Sequence, residues 1–274
     1  MLDGMSDTPQ APTQNAALDD IPTVSAISIV ATMLSTMLHE GLGHAAVAIA
    51  TLHAAGTLTT VAWSSAQDSR LVAAGGTLVN LTAALVFWLL LRAARNASPW
   101  LRFFLFITMA FNLFTGTGYF FFSGVSDFGD WAQVIQGLNP HWLLRIGLIV
   151  LGVVSYWGAM IAVGTCLVRY LGVPASDRTR FRRLTWVPYF AALIIEAVAG
   201  LRNPFGVRYV FESALAASAG GHCALLFLVY YVPKSVKPGP NSQLVSRSYA
   251  WIGVSVVLAL VFILVLGPGI HLHG

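Results

Sequence analysis

Of the 274 residues, 57% are hydrophobic and only 9% charged, against roughly 25% charged in an ordinary soluble domain, so the chain belongs in a bilayer. The net charge of +4 does not point to nucleic acid, because Lys and Arg gather in a few connecting segments where lipid headgroups and topology account for them. Cys166 and Cys223 sit inside apolar runs and imply no disulfide framework.

Residues 1–20 carry no Lys or Arg and lack the positive start of a secretory signal, so they read as a disordered N-terminal tail. A crossing needs about 20 mostly apolar residues. Seven segments qualify: 21–50, 71–92, 101–123, 142–170, 184–201, 208–232 and 249–267. The fifth is short and ends in LRNPFG, where Asn203-Pro204 forces a turn. It reads as re-entrant or as half of a broken pair with the sixth, which leaves six or seven crossings. Trp63, Trp100, Trp131, Trp142, Trp186 and Trp251 fall near segment ends, as interfacial aromatics should. Between the first two spans, TLHAAGTLTTVAWSSAQDSR alternates Leu58, Thr60 and Ala62 with β-branched neighbours, which predicts a short interfacial β-hairpin. The fold class expected is an all-α polytopic membrane bundle, with one domain over 21–267 and a C-terminal tail over 268–274.

Arg92, Arg95, Arg102, Arg169, Arg178, Arg180, Arg182, Arg183, Lys234, Lys237 and Arg247 are 11 of the 15 basic residues, and all flank the even-numbered connections. By the positive-inside rule those connections, and with them the N-terminus, are cytoplasmic.

A carboxylate at the centre of a bilayer helix costs roughly 2.5–3.5 kcal/mol, so such residues usually face the bundle interior and usually work. Glu40 lies in the first span, Asp127 and Asp130 follow the third, and Glu196 and Glu212 lie in the fifth and sixth. Spans one and three run in the same direction. The LHEGLGHAA stretch at 38–46 therefore reaches the same leaflet as Asp127 and Asp130. A metal site on His39, His44 and either aspartate is allowed by topology. The histidines are five apart, however, and in an α-helix that spacing turns them about 140° from each other. A single π-type turn would bring them back onto one face, and Gly41 and Gly43 make that deformation easy. His-Glu with a second His, two glycines and an Asp-bearing partner segment favours a metal over two packed polar side chains. Zinc suits that ligand set, with a fourth position for water and Glu40 as general base.

LHEGLGHAAVA resembles the active-site helix of the site-2 protease family, the intramembrane zinc metalloproteases, whose pattern is H-E-x-x-H followed by small residues. AAGGTLVNLTAALV, at 73–86, resembles that family's A-G-P-x-x-N segment, with Gly75, Gly76 and Asn80 at matching places. The stretch 51–70 sits where the family has a membrane-associated strand hairpin. FNLFTGTGYFFFSGVSDFGDW, at 111–131, resembles its N-x-x-P…D-G segment, which makes Asn112 the matching Asn and Asp130 the third ligand, with Asp127 as rival. The resemblance spans about 25–135 and implies zinc on His39, His44 and Asp130, Glu40 as the base, and cleavage of a transmembrane protein substrate. This chain departs from the pattern in its extra residue between the histidines, its missing Pro and its longer Asn-to-Asp distance.

The remaining groups carry two readings each. His222 is a further ligand or a polar helix contact. Glu196 and Glu212 pair with Arg202 or Arg208 near the outer surface. His271 and His273 belong to a flexible terminus. Two other functions compete with hydrolysis: a metal-free relative that binds membrane helices, and a metal or proton transporter.

Overall fold

The computed structural model describes residues 18–240 and 242–273. Among them, seven helices are long and apolar enough to cross a membrane: α1 (Ile21–Leu52), α2 (Arg70–Ala93), α3 (Pro99–Ser126), α5 (His141–Leu171), α6 (Arg178–Gly200), α7 (Val207–Tyr230) and α8 (Tyr249–Leu266). A short helix, α4 (Asp130–Ile135), bridges α3 and α5. Most starts are written in local capping chemistry. Asp20, Ser69, Ser98, Asp177 and Ser248 each accept a hydrogen bond from a backbone N–H of the first turn, and Pro99 supplies a preset φ at the start of α3.

The fifth apolar segment is a full 23-residue helix, not a re-entrant half. Its first turn is basic and looks like a loop by hydropathy, but Arg180 is buried there. Its Nε donates to Asp19 Oδ2 at 2.8 Å, its Nη1 and Nη2 donate to the carbonyls of Ser242 and Gln243, and Val245 N–H closes on Asp19 Oδ1 at 2.8 Å. The expected disordered tail is corrected for Leu18–Asp20, since Asp19 is fully buried in this clamp and Asp20 caps α1; residues 1–17 lie outside the described residues.

α3 is the centre of the bundle, and its Phe103, Phe106, Phe111 and Phe114 are fully buried among α1, α2, α5 and α6. α8 is the most peripheral span, with Val254, Val256, Val257 and Leu260 facing outward. The predicted hairpin is present as β1 (Gly56–Leu58) and β2 (Trp63–Ser65), antiparallel with Leu58 opposite Trp63. Thr59 shapes its turn, because Oγ1 accepts from the N–H groups of Val61 and Ala62. A third strand was not expected. β3 (Ile270–Leu272) pairs antiparallel with β1, with Thr57 opposite His271 and their side chains 3.0 Å apart. The segment expected to be a flexible tail is thus the edge of a three-stranded sheet in the order β2-β1-β3.

Candidate metal centre

Within α1, residues Leu38–Ala45 form a π-helical turn, in which the N–H of Ala46 bonds the carbonyl of Gly41 five residues back. This wide turn absorbs the extra residue between the histidines. The His39 and His44 rings meet edge to face with centroids 4.8 Å apart. The turn meets the backbone of α2 closely at glycines. A methyl on Gly43 would strike the backbone of Gly75 and Gly76, and one on Gly75 would strike the carbonyl of Gly43.

Gly129, at φ +84°, redirects the chain after α3 and points Asp130 inward from the first turn of α4. Asp130 Oδ2 lies 3.2 Å from His39 Nε2 and Oδ1 lies 3.5 Å from His44 Nε2. Tetrahedral zinc with bonds of about 2.0–2.1 Å separates its ligand atoms by roughly 3.3 Å; both His–Asp spacings are close to that, and the three ligand atoms lie within 4.8 Å of one another. Asp127 is not brought to the imidazoles. It caps α3 at φ +55° and turns to His141 Nε2 at 3.0 Å and Arg145 Nη1 at 3.4 Å. His222 is a polar helix contact, not a ligand of this cluster, with Nε2 3.1 Å from Thr115 Oγ1 and its ring 4.5 Å from that of Phe111.

The hydrogen bonds behind the imidazoles fix their protonation. Asn112 Nδ2 donates to the Thr108 carbonyl, so its Oδ1 accepts from Asn80 Nδ2 at 2.7 Å. Asn80 Nδ2 also faces the Ser35 carbonyl, which leaves Asn80 Oδ1 to accept from His39 Nδ1 at 2.5 Å. His44 Nδ1 faces the Val72 carbonyl at 2.7 Å, and a carbonyl can only accept. Both Nδ1 atoms therefore carry the proton of the neutral ring, and both Nε2 lone pairs face the Asp130 carboxylate. In that state the two lone pairs and the carboxylate form a donor set for a cation; with the rings protonated, the same atoms pair directly as His–Asp ion pairs. His39 Nε2 has no hydrogen-bond partner of its own although it is buried. A side chain at position 76 would occupy the same place, since a Cβ there would lie 2.5 Å from His44 Nε2 and 2.6 Å from His39 Nε2. Burial pulls the Asp130 carboxyl upward, but with both rings protonated the charges of His44 and His39 would hold it well below the usual carboxylate range.

Glu40 is buried, and its Oε2 accepts from the Trp63 N–H at 3.0 Å, so the hairpin orients it. Together with His44 and Asp130 it lines a cavity of about 630 Å³ whose far wall is β2. Tyr119 was not singled out by sequence. Its ring stacks on His39 at 4.7 Å, and in a run of aromatic residues no pattern marks it. Glu196 does not pair with an arginine. Its Oε1 accepts from Thr36 at 2.8 Å and Thr32 at 3.0 Å, while Glu212 does take Arg208 as partner at 2.7 Å.

No protein-family model, curated protein or solved structure matches this chain.

Proposed function

We propose that this protein is an intramembrane zinc metalloprotease that cleaves a transmembrane protein segment. The observation that carries the reading is the convergence of two buried imidazoles and a partly buried carboxylate on one point, against a glycine that leaves that point open. His39, His44 and Asp130 would hold the ion. Zinc, when bound, supplies Lewis acidity and a water that ionises near neutral pH.

The chain's own groups supply the rest. Glu40, with Oε2 fixed by the Trp63 amide, keeps Oε1 to take a proton from the attacking water and to return it to the leaving nitrogen. The Asn80–Asn112–Thr108 chain holds His39 in the tautomer a metal needs. β3 covers one edge of the sheet, so β2 presents the free edge beside the cavity, where an unwound substrate backbone pairs as a further strand. An apolar groove of about 670 Å³ among α3, α5 and α7 shares Tyr119, Phe122 and Glu212 with the catalytic cavity and gives a substrate helix a route from lipid. The basic connections support a cytoplasmic N-terminus, with the site at the opposite leaflet. Toward the basic end the bundle is closed by Ile27, Phe103, Phe106, Phe181 and Leu184, which favours hydrolysis over a transport path.

The test is metal analysis with a Glu40→Gln variant. Purified wild-type protein should hold about one equivalent of zinc and cleave a transmembrane peptide, while Glu40→Gln keeps the zinc and loses about 10²–10⁴-fold in rate. Wild-type protein holding less than about a tenth of an equivalent would overturn the reading.

A further inference from the structure

A second, much smaller chamber also reaches Glu40. It measures about 30 Å³, is bordered by α1, α3, α6, α7 and the hairpin turn, and meets the catalytic cavity at Glu40, Tyr119 and Ser213, which line both. A buried water needs roughly 10–15 Å³ by the same measure and two to four polar partners, so the chamber has room for about two. Its walls supply the partners. Thr60 Oγ1 and His222 Nδ1 make no hydrogen bond of good geometry within the protein, in residues 2% and 3% exposed, although the Phe111 backbone lies beside the His222 ring. Glu196 spends Oε1 on Thr32 and Thr36 and leaves Oε2 without a protein partner among the described residues. Thr60 Oγ1 and His222 Nδ1 carry the desolvation penalty of unpaired buried groups if that void is dry, and Glu196 lines it with one carboxylate oxygen uncommitted.

We propose that this chamber is a water site, with ordered water bridging Glu196 Oε2, Thr60 Oγ1 and His222 Nδ1, and that it resupplies the hydrolytic position at Glu40 while substrate fills the outer cavity. The supply role rests on the hydrolase reading; the water site does not. Glu196 is then a positioning residue, holding the water that Glu40 draws on. Substrate approaching along β2 closes the outer route to Glu40, and the chamber is the compartment on the far side of that residue. Hydrolysis consumes one water per bond cut, and the store refills between turnovers through the outer cavity.

The experiment compares full-length wild type, Glu196→Gln and Glu196→Leu in lipid nanodiscs, by high-resolution structure determination and by zinc content, kcat and KM. Glu196→Gln keeps both shape and hydrogen-bonding capacity, so water density within hydrogen-bond distance of Thr60 Oγ1 and His222 Nδ1 should persist, with near wild-type kcat. Glu196→Leu should empty the chamber and lower kcat at least tenfold at unchanged KM and zinc content. A dry wild-type chamber would overturn the site. Wild-type kcat in a Glu196→Leu protein shown to be dry would overturn the supply role. Ordered water in a wild-type protein that binds zinc and cleaves nothing would support the site while overturning the hydrolase reading.

Discussion

The sharpest prediction concerns Gly76→Ala. Helix propensity alone makes it a stabilising change of about 1 kcal/mol, because glycine in the middle of a helix is the poorer residue. The site predicts the opposite for metal. The new Cβ would sit 2.5 Å from His44 Nε2 and 2.6 Å from His39 Nε2 and Cε1, well inside van der Waals contact. Helix α2 cannot back away from the π-turn without stretching the bonds by which Asn80 and the Val72 carbonyl hold the turn's histidines. The imidazoles must rotate instead, which gives up the bonds from His39 Nδ1 to Asn80 and from His44 Nδ1 to the Val72 carbonyl. Each broken buried hydrogen bond costs about 1–3 kcal/mol, or about 2–6 kcal/mol for both. That corresponds to a loss in zinc affinity of roughly 30-fold to more than 10⁴-fold. The assay is zinc stoichiometry and competition with a chelator on purified protein, alongside thermal melting. Gly158→Ala serves as the control, since a Cβ at that position in α5 meets nothing. Wild-type zinc affinity in a folded Gly76→Ala protein would refute the argument that the ion lies between the two rings.

Asn80→Ala removes the acceptor for His39 Nδ1 and should weaken zinc binding by about 10–100-fold, read by chelator competition; an unchanged affinity would mean the polar chain behind His39 has no role. Asp130→Asn should abolish stoichiometric zinc. Asp127→Asn, which loosens only a part-exposed contact with His141 and Arg145, should leave zinc content intact and shift stability by less than about 1 kcal/mol. Arg180→Met strands the buried Asp19 carboxylate and should cost about 3–5 kcal/mol, seen as a lower melting temperature in detergent that Asp19→Asn partly restores in the double variant.

Much of this architecture was legible because hydropathy and topology are strong signals in a membrane chain. The seven apolar segments differ from the observed spans by a few residues at most, except where Arg178–Arg183 begin α6. Those arginines look like a loop until Asp19, more than 150 residues earlier, is seen to bury one of them. The π-turn was readable because histidines five apart cannot share a regular helical face and two glycines lay between them. The choice between Asp127 and Asp130 was not readable. Both follow α3 within reach of the site, and what separates them is the backbone at Asp127 and Gly129, both at positive φ. β3 was missed because three residues pairing across about 200 positions leave no periodic trace. Backbone partners such as the Val72 carbonyl and the Trp63 N–H are invisible to any reading of side chains.

The ligands divide between two kinds of support, and the division has a physical reason. His39 and His44 stand on one helix, wedged against α2 at glycine contacts and tied to α3 through Asn80 and Asn112, so their positions are set by packing that cannot yield without breaking buried hydrogen bonds. Asp130 and the Trp63 amide that orients Glu40 come instead from a one-and-a-half-turn helix and a three-residue strand at the mouth of the cavity. A substrate drawn from a bilayer must displace something to reach a buried site, and displacing α1 or α2 would destroy the imidazole pair. In the hydrolase proposed above, the hairpin and α4 are the elements whose movement would open the cavity while the histidines stay in place. Their return would set Glu40 and Asp130 against the bound segment together, which couples substrate closure to completion of the catalytic groups.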